Sequence, residues 1–288
     1  MTTMNLKEIK QRIHSVKSTQ KITSAMKLVA AAKLRRTQAS IENLRPYEQK
    51  LHTILSSFLC NTPVKSGYTV SREVKNAVVV PVASSTTFCG AFNNNVVRLA
   101  KETVTEYRTA GTGTELITVG KKMHEAFEKH GAETDDRLMS QAGNPVYAEI
   151  SSLARELMQR FLSGDIDRVE LVYTHFVSAG KQVPVREVLL PIDVSSMPQQ
   201  DVSHSVDYIV EPGKEELVQS LIPNVVTLRL YSALLDSAVA EHAARMLAMQ
   251  IATDNADDLI AELTLEYNKC RQQAITNELL DIISCDVS

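Results

Sequence analysis

Apolar residues near the start of the chain recur at helical spacing. Leu6, Ile9, Ile13 and Val16 follow a 3-4-3 rhythm that puts them on one helix face. Ile22, Met26 and Val29 continue the stripe after a phase slip, and Leu44, Leu51, Ile54, Leu55 and Phe58 follow. From Asn5 to Phe58 there is no glycine and one proline, Pro46. The pattern predicts a single long helix of ~80 Å, with Pro46 as a place where it bends or breaks.

The other end of the chain repeats the theme. A short helical piece precedes Pro223, and Asn224 to about Ile283 holds neither glycine nor proline. That predicts a helix of ~90 Å. Met249, Ala252, Ala256, Leu259 and Leu263 step 3-4-3-4, and Tyr267, Cys270 and Ala274 step on by 4-3-4. The doubled four between Leu263 and Tyr267 predicts a stutter that locally unwinds a left-handed supercoil. Alanines at 238, 240, 243, 244, 248, 252 and 256 would let a neighbouring helix approach closely.

Between the two ends the texture changes. Residues 61–73 read as a loop. "NAVVVPVASS" is a buried strand, "NNVVRLAKETVTEYR" a helix and "ELITVG" a strand. "KKMHEAFEKHG" is a helix closed by Gly131, and "PVYAEISSLARELMQRFLSG" a longer one opened by Pro145 and ended by Gly164. "DRVELVYTHF" and "QVPVREVLLPI" flank Ser178-Ala179-Gly180 as a hairpin. Residues 195–213 are polar and turn-rich. Alternating strands and helices imply a mostly parallel sheet with one antiparallel pair, its core over 74–194.

Each terminal helix exposes an apolar stripe, so neither is stable alone, and each supplies what the other lacks. The fold class expected is α/β: a long antiparallel coiled coil of the N- and C-terminal helices plus a central Rossmann-like α/β domain. The expected boundaries are 1–60, 70–210 and 211–288, and the expected shape is a rod with a knob near one end.

Charge supports that pairing. Residues 1–50 carry eleven Lys/Arg against three Glu, and residues 241–288 carry three against nine acids. The chain as a whole is −3, which gives no strong field for nucleic acid or membrane. Cysteines 60, 89, 270 and 285 are scattered, with no Cys-x-x-Cys, so neither a zinc site nor a disulfide framework is expected. No apolar run reaches the ~18 residues of a membrane span. A mitochondrial presequence would also be basic and acid-poor, but the helical pattern runs through residue 58 without a processing break.

Candidate chemistry is sparse. "FCGAFNNN" sits at a strand-to-helix turn but has one glycine, Gly90, where a dinucleotide loop has three. "GTGTELITVGKK" contains Gly-Lys, yet Lys122 stands where a P-loop has Ser or Thr. His124 and His130 are six apart, on different helix faces, which excludes a zinc pair. No Gly-x-Ser-x-Gly occurs. Lys33, Arg35 and Arg36 lack interleaved aromatics for stacking bases, so they suit an acidic protein surface better than nucleic acid.

"LKEIKQRIHSVKSTQKITSAMKLVAAAKLRR" (6–36) and "EHAARMLAMQIATDNADDLIAELTLEYNKCRQQAITNELLDII" (241–283) together resemble the gamma subunit of F-type ATP synthase, the central rotor shaft. "CGAFNNN" is similar to the family's Cys-Gly-x-x-Asn-x-Asn turn. The family's Asp-Arg-Gly before Leu-Cys-Gly is here Ser85-Thr86-Thr87 followed by Phe88, and the tail Ser284 to Ser288 departs from a small Gly/Ala ending. The cysteine-bearing insertion of chloroplast forms is missing from 186–213. The resemblance implies a noncatalytic shaft, without cofactor, inside a hexamer of alpha and beta subunits. It would couple ion flow through the membrane c-ring to ATP synthesis or hydrolysis by rotation. Its α/β domain would touch the epsilon subunit and the c-ring, at the cytoplasmic face of a bacterial inner membrane. Carried over by position, Met26, Arg245, Arg271, Gln272, Thr276 and Glu278 would meet the beta subunit, and the basic side of the first helix, Lys27 and Lys33 included, would face an acidic lever of beta. The alternatives are a coiled-coil scaffold with an unrelated α/β domain, which would self-associate, and a nucleotide-binding enzyme built on the sheet.

Overall fold

The computed structural model describes residues 6–61, 67–192 and 213–285. The polar segment 195–212, most of the 186–213 region and the last three tail residues lie outside them. The chain divides into two compact units, one of Met1–Ala31 with Arg245–Ser288 and the other Ala32–Ala244.

Helix α1 runs Leu6–Asn61 and α5 runs Lys214–Cys285. Pro46 lies inside α1 without ending it. Pro223 lies inside α5, so the short piece expected before it is continuous with the long helix. Proline removes one backbone donor. Around Pro223 side chains bridge neighbouring turns, with Asn224 Nδ2 donating to Ser220 O and Thr227 Oγ1 to Pro223 O. Ile222 and Val226, both buried, anchor this stretch.

Five strands form the sheet: β1 Asn76–Pro81, β2 Gly113–Val119, β3 Asp135–Leu138, β4 Arg168–Ser178 and β5 Lys181–Leu190. Their order is β3-β2-β1-β4-β5, parallel except for the antiparallel β4–β5 hairpin. The short, charged β3 is a strand the sequence pattern did not suggest. Helices α2 (Phe92–Thr109), α3 (Lys121–Glu128) and α4 (Tyr147–Ser163) fill the connections. Gly164 closes α4 in the left-handed conformation, as its position predicts, whereas α3 stops before Gly131, which turns the chain at φ +68°. The outer strand β5 carries Pro184, opposite Thr174 of β4.

Strand alternation sends side chains to two cores. Ala77 and Val79 of β1 pack with Leu116, Val96, Val104 and Phe127 beneath α2 and α3. Val78 and Val80 face the other way, among Leu157 and Phe161 of α4, Leu55 and Phe58 of α1, and Leu230 and Leu234 of α5. Each such side chain is worth ~1.5–3 kcal/mol of burial. The sheet therefore holds segments from both ends of the chain on one face.

Candidate partner-binding surface

In the unit built from the chain ends, polar contacts join α1 to α5. Gln20 Nε2 donates to Asp257 Oδ1 at 3.0 Å, the Thr23 and Thr253 hydroxyls lie 2.8 Å apart, and Lys27 Nζ donates to Gln250 Oε1 at 2.8 Å. Partners descend on α5 as they ascend on α1, so the helices are antiparallel. This ladder corrects the phase slip read from the sequence. The less exposed positions of α1 run 9, 13, 16, 20, 23, 27, 30, 34 in unbroken steps of four and three. Ile22 and Val29, placed on the buried stripe by their chemistry, are 60% and 56% exposed. Gln20, Thr23 and Lys27 occupy the seam instead. On α5 the seam is 249, 253, 256, 260, 263, 267, 270, 274, again four and three. Thr253 and Ile260 replace Ala252 and Leu259, and the stutter disappears. Counting spacing without regard to residue type would have found this seam.

The ladder also fixes where each sequence-predicted contact residue sits. Leu6 lies fourteen residues before Gln20, so it falls level with Arg271, fourteen after Asp257. Residues 272–285 of α5 therefore extend past the described start of α1. Ile275, Leu279 and Leu280 there are 48%, 55% and 59% exposed. Arg271, Gln272, Thr276 and Glu278 are exposed on this stretch, and the Thr276 hydroxyl donates back to Gln272 O. Met26 is half-buried between exposed Ile22 and Val29 on one flank of α1, and Arg245 is half-buried on α5. By the same register Met26 is level with residue 251, twenty residues and ~30 Å from Arg271. The six residues thus form two groups. Lys27 is half-buried and bonded to Gln250, so it does not stand as an open charge; Lys33 is exposed.

The sheet unit has a separate candidate, the crevice where β1 ends and α2 begins. Open parallel sheets bind ligands at such points. Here Ser84 N–H and its hydroxyl bond Asn93 Oδ1, and Asn93 Nδ2 lies 3.1 Å from Cys89 Sγ. Phe88 adopts φ +65° and is exposed. Ala240 and Ala244 of α5 pack against Cys89 and Phe92, with Phe176 alongside. The chain's own helix seats at the turn that a nucleotide would use. Lys122 bonds Glu125 at 2.6 Å and holds that carboxyl below its usual range. His124 bonds Thr134 and His130 bonds Lys101, so the two imidazoles share no site. Among the described residues no group of three His, Cys, Asp or Glu could hold a metal, and no helix is long and apolar enough to cross a membrane.

The family model described as ATP synthase matches residues 5–286. The ATP synthase gamma chain of Bacteroides thetaiotaomicron is 50% identical over 291 aligned positions, covering 97% of this chain and 98% of that protein. That of Flavobacterium johnsoniae is 42% identical, covering 97% and 96%. Two cryo-EM structures share the fold. A chain of the Euglena gracilis mitochondrial ATP synthase, from its OSCP/F1/c-ring assembly, superposes with TM-score 0.66 at 22% identity, over 98% of this chain and 93% of that one. A chain of the Tetrahymena thermophila mitochondrial ATP synthase central stalk and c-ring gives TM-score 0.57 at 24% identity, over 80% and 99%. With half its residues shared with such a relative from end to end, this chain belongs to the ATP synthase gamma chain family.

Proposed function

We propose that this chain is the noncatalytic central-stalk subunit of an F-type ATP synthase. It turns as a rotor shaft and couples ion flow through a membrane c-ring to ATP synthesis or hydrolysis in a hexamer of alpha and beta subunits. The shaft segments are 1–60 and 211–288, and the domain 70–210 meets the epsilon subunit and c-ring. The complex sits at the cytoplasmic face of a bacterial inner membrane, and the chain is held there peripherally. The observation that carries the reading is the end-to-end match to gamma chains, which includes both helical termini.

The physical layout supports it. A shaft needs a stiff element with an asymmetric outer surface, and the paired ends supply one: basic residues on α1, acidic ones on α5, and an exposed apolar flank at Ile22 and Val29. Beta-subunit contact is assigned to Met26 and Arg245 as one group and to Arg271, Gln272, Thr276 and Glu278 as the other. The seating of α5 against the β1–α2 turn speaks against nucleotide chemistry in this chain.

Co-expression with the alpha and beta subunits tests the proposal. One copy of the chain is expected per hexamer, and ATP-driven ion pumping is expected to require it. A chain that instead self-associates and leaves pumping unaffected would point to the scaffold reading.

A further inference from the structure

Helix α5 crosses the sheet unit with Leu230 and Leu234 in the core and a run of alanines beside and beyond them. Ala233, Ala238, Ala240, Ala243 and Ala244 are all buried. Leu230 and Leu234 key α5 into the sheet core, but the methyl groups beyond them present low ridges and few interlocking contacts, so there apolar packing alone resists rotation about the axis only weakly. Directional bonds next to that stretch add to the resistance of the leucines. Asp236 and Arg229 stand seven residues apart on one face of α5, about 10.5 Å along the axis. The Asp236 carboxylate meets His175 Nδ1 at 2.5 Å and accepts the Phe176 backbone N–H at 3.2 Å, and so grips the outer part of β4. Arg229 Nε donates to Glu187 of β5 at 2.5 Å, and Tyr173 OH donates to the other oxygen of that carboxylate. Arg229 Nη1 also donates to Glu48 of α1 at 3.3 Å, and Ser232 Oγ to the same carboxylate at 3.1 Å.

We propose that Asp236 and Arg229 are positioning residues that fix the rotational angle of α5 on the β4–β5 hairpin, so that torque enters α5 from the sheet domain without slip. The inference rests on the rotor reading above and adds the place where the sheet domain grips the shaft. A turn of α5 by even one residue's angle, about 100°, would break the Asp236 and Arg229 bonds together and pull Leu230 and Leu234 from the core, whereas a smaller slip of the alanine stretch is opposed mainly by those polar bonds. Because the donor is the backbone N–H of Phe176, the grip on β4 does not depend on the rotamer of any β4 side chain.

The test uses the whole complex in vesicles, with ATP hydrolysis and ion uptake measured side by side. Asp236→Ala is expected to lose ion uptake per ATP while its hydrolysis rate stays at the unmodified level. Asp236→Asn keeps an acceptor for the Phe176 N–H and is expected to recover most of the uptake. Equal uptake per ATP in all three forms overturns the inference. So does a parallel fall of hydrolysis and uptake that the Asn variant does not mend, because that is a purely structural loss. If Asp236→Ala fails to assemble, Arg229→Gln decides by the same readout, since the Arg229 side chain is half exposed and its removal spares the core. Failure of the unmodified chain to join the hexamer would refute the rotor reading, and this inference with it.

Discussion

Arg186→Met is a sharp probe of how the sheet unit is held together. Arg186 reaches from β5 to Glu170 on β4, with Nε at 2.6 Å and Nη2 at 3.2 Å from the two carboxylate oxygens. It also bonds Glu106 on α2 and lies over the Tyr107 ring, 5.5 Å from its centre. The Glu170 side chain is only 2% exposed, and its other cation, Arg168, stands 3.7 Å away. Stripping one partner from a buried pair costs about 3–5 kcal/mol. Arg168 keeps part of the compensation, which points to the lower end. The stacking on Tyr107 adds about 0.5–1 kcal/mol, and the bond to exposed Glu106 less than about 1 kcal/mol. The partly exposed methionine returns a little apolar stabilisation, leaving a net loss of about 3 kcal/mol. For a unit of this size that lowers the melting temperature by about 6–12 °C. The double variant Arg186→Met/Glu170→Met should recover to within about 1 kcal/mol, since no anion stays buried and Arg168 can turn to solvent. Calorimetry of the full chain separates the outcomes. A double variant as unstable as the single one, or a single variant losing under about 1 kcal/mol, would refute the assignment of Glu170 as a buried charge that depends on Arg186.

Thr23→Val/Thr253→Val should be neutral or mildly stabilising in urea melts followed by helical signal, because removing both hydroxyls leaves no partner stranded. Each single variant should cost no more than about 1 kcal/mol, since the remaining hydroxyl falls back on Gln20 O or Met249 O. Gly120→Ala should destabilise by about 2 kcal/mol or more: its Cβ would lie 2.1 Å from Ala83 O, at φ +90°. The Asp167 carboxyl accepts the Asn76 and Lys75 N–H groups, which hold it below its usual range. A depressed folded value stabilises the fold above the unfolded carboxyl value of about 4, and this is lost as pH falls through the lower folded value. Asp167→Asn should therefore flatten the acid limb of a stability-against-pH curve. Lys33→Glu should reduce ion pumping per ATP without changing the melting of the isolated chain, while Lys27→Glu should also disturb the helix pair through Gln250.

Long-range pairing was legible because it follows from unsatisfied stripes at both ends, and the β-branched run of "NAVVVP" marked a buried strand. The capping glycine at 164 was readable because only a left-handed residue ends a helix that way. What failed did so for stated reasons. β3 is four residues long, with three charged, and takes its place from pairing with β2 rather than from propensity. Pro223 signals a break locally, but burial of Ile222 and Val226 outweighs one missing hydrogen bond. Gln20, Thr23 and Lys27 hid the seam because polar residues at core positions look like surface, and their bonding partners lie over two hundred residues away.

The proline in β5 has a consequence for the chain before it meets any partner. An outer strand with a full row of amide hydrogens invites a stranger's strand to dock, the first step of sticky clumping. Pro184 removes one hydrogen from that row, and the neighbouring Arg186 and Glu187 add charge to it. A freshly made copy waiting for its neighbours can therefore linger in a crowded solution without recruiting its own kind.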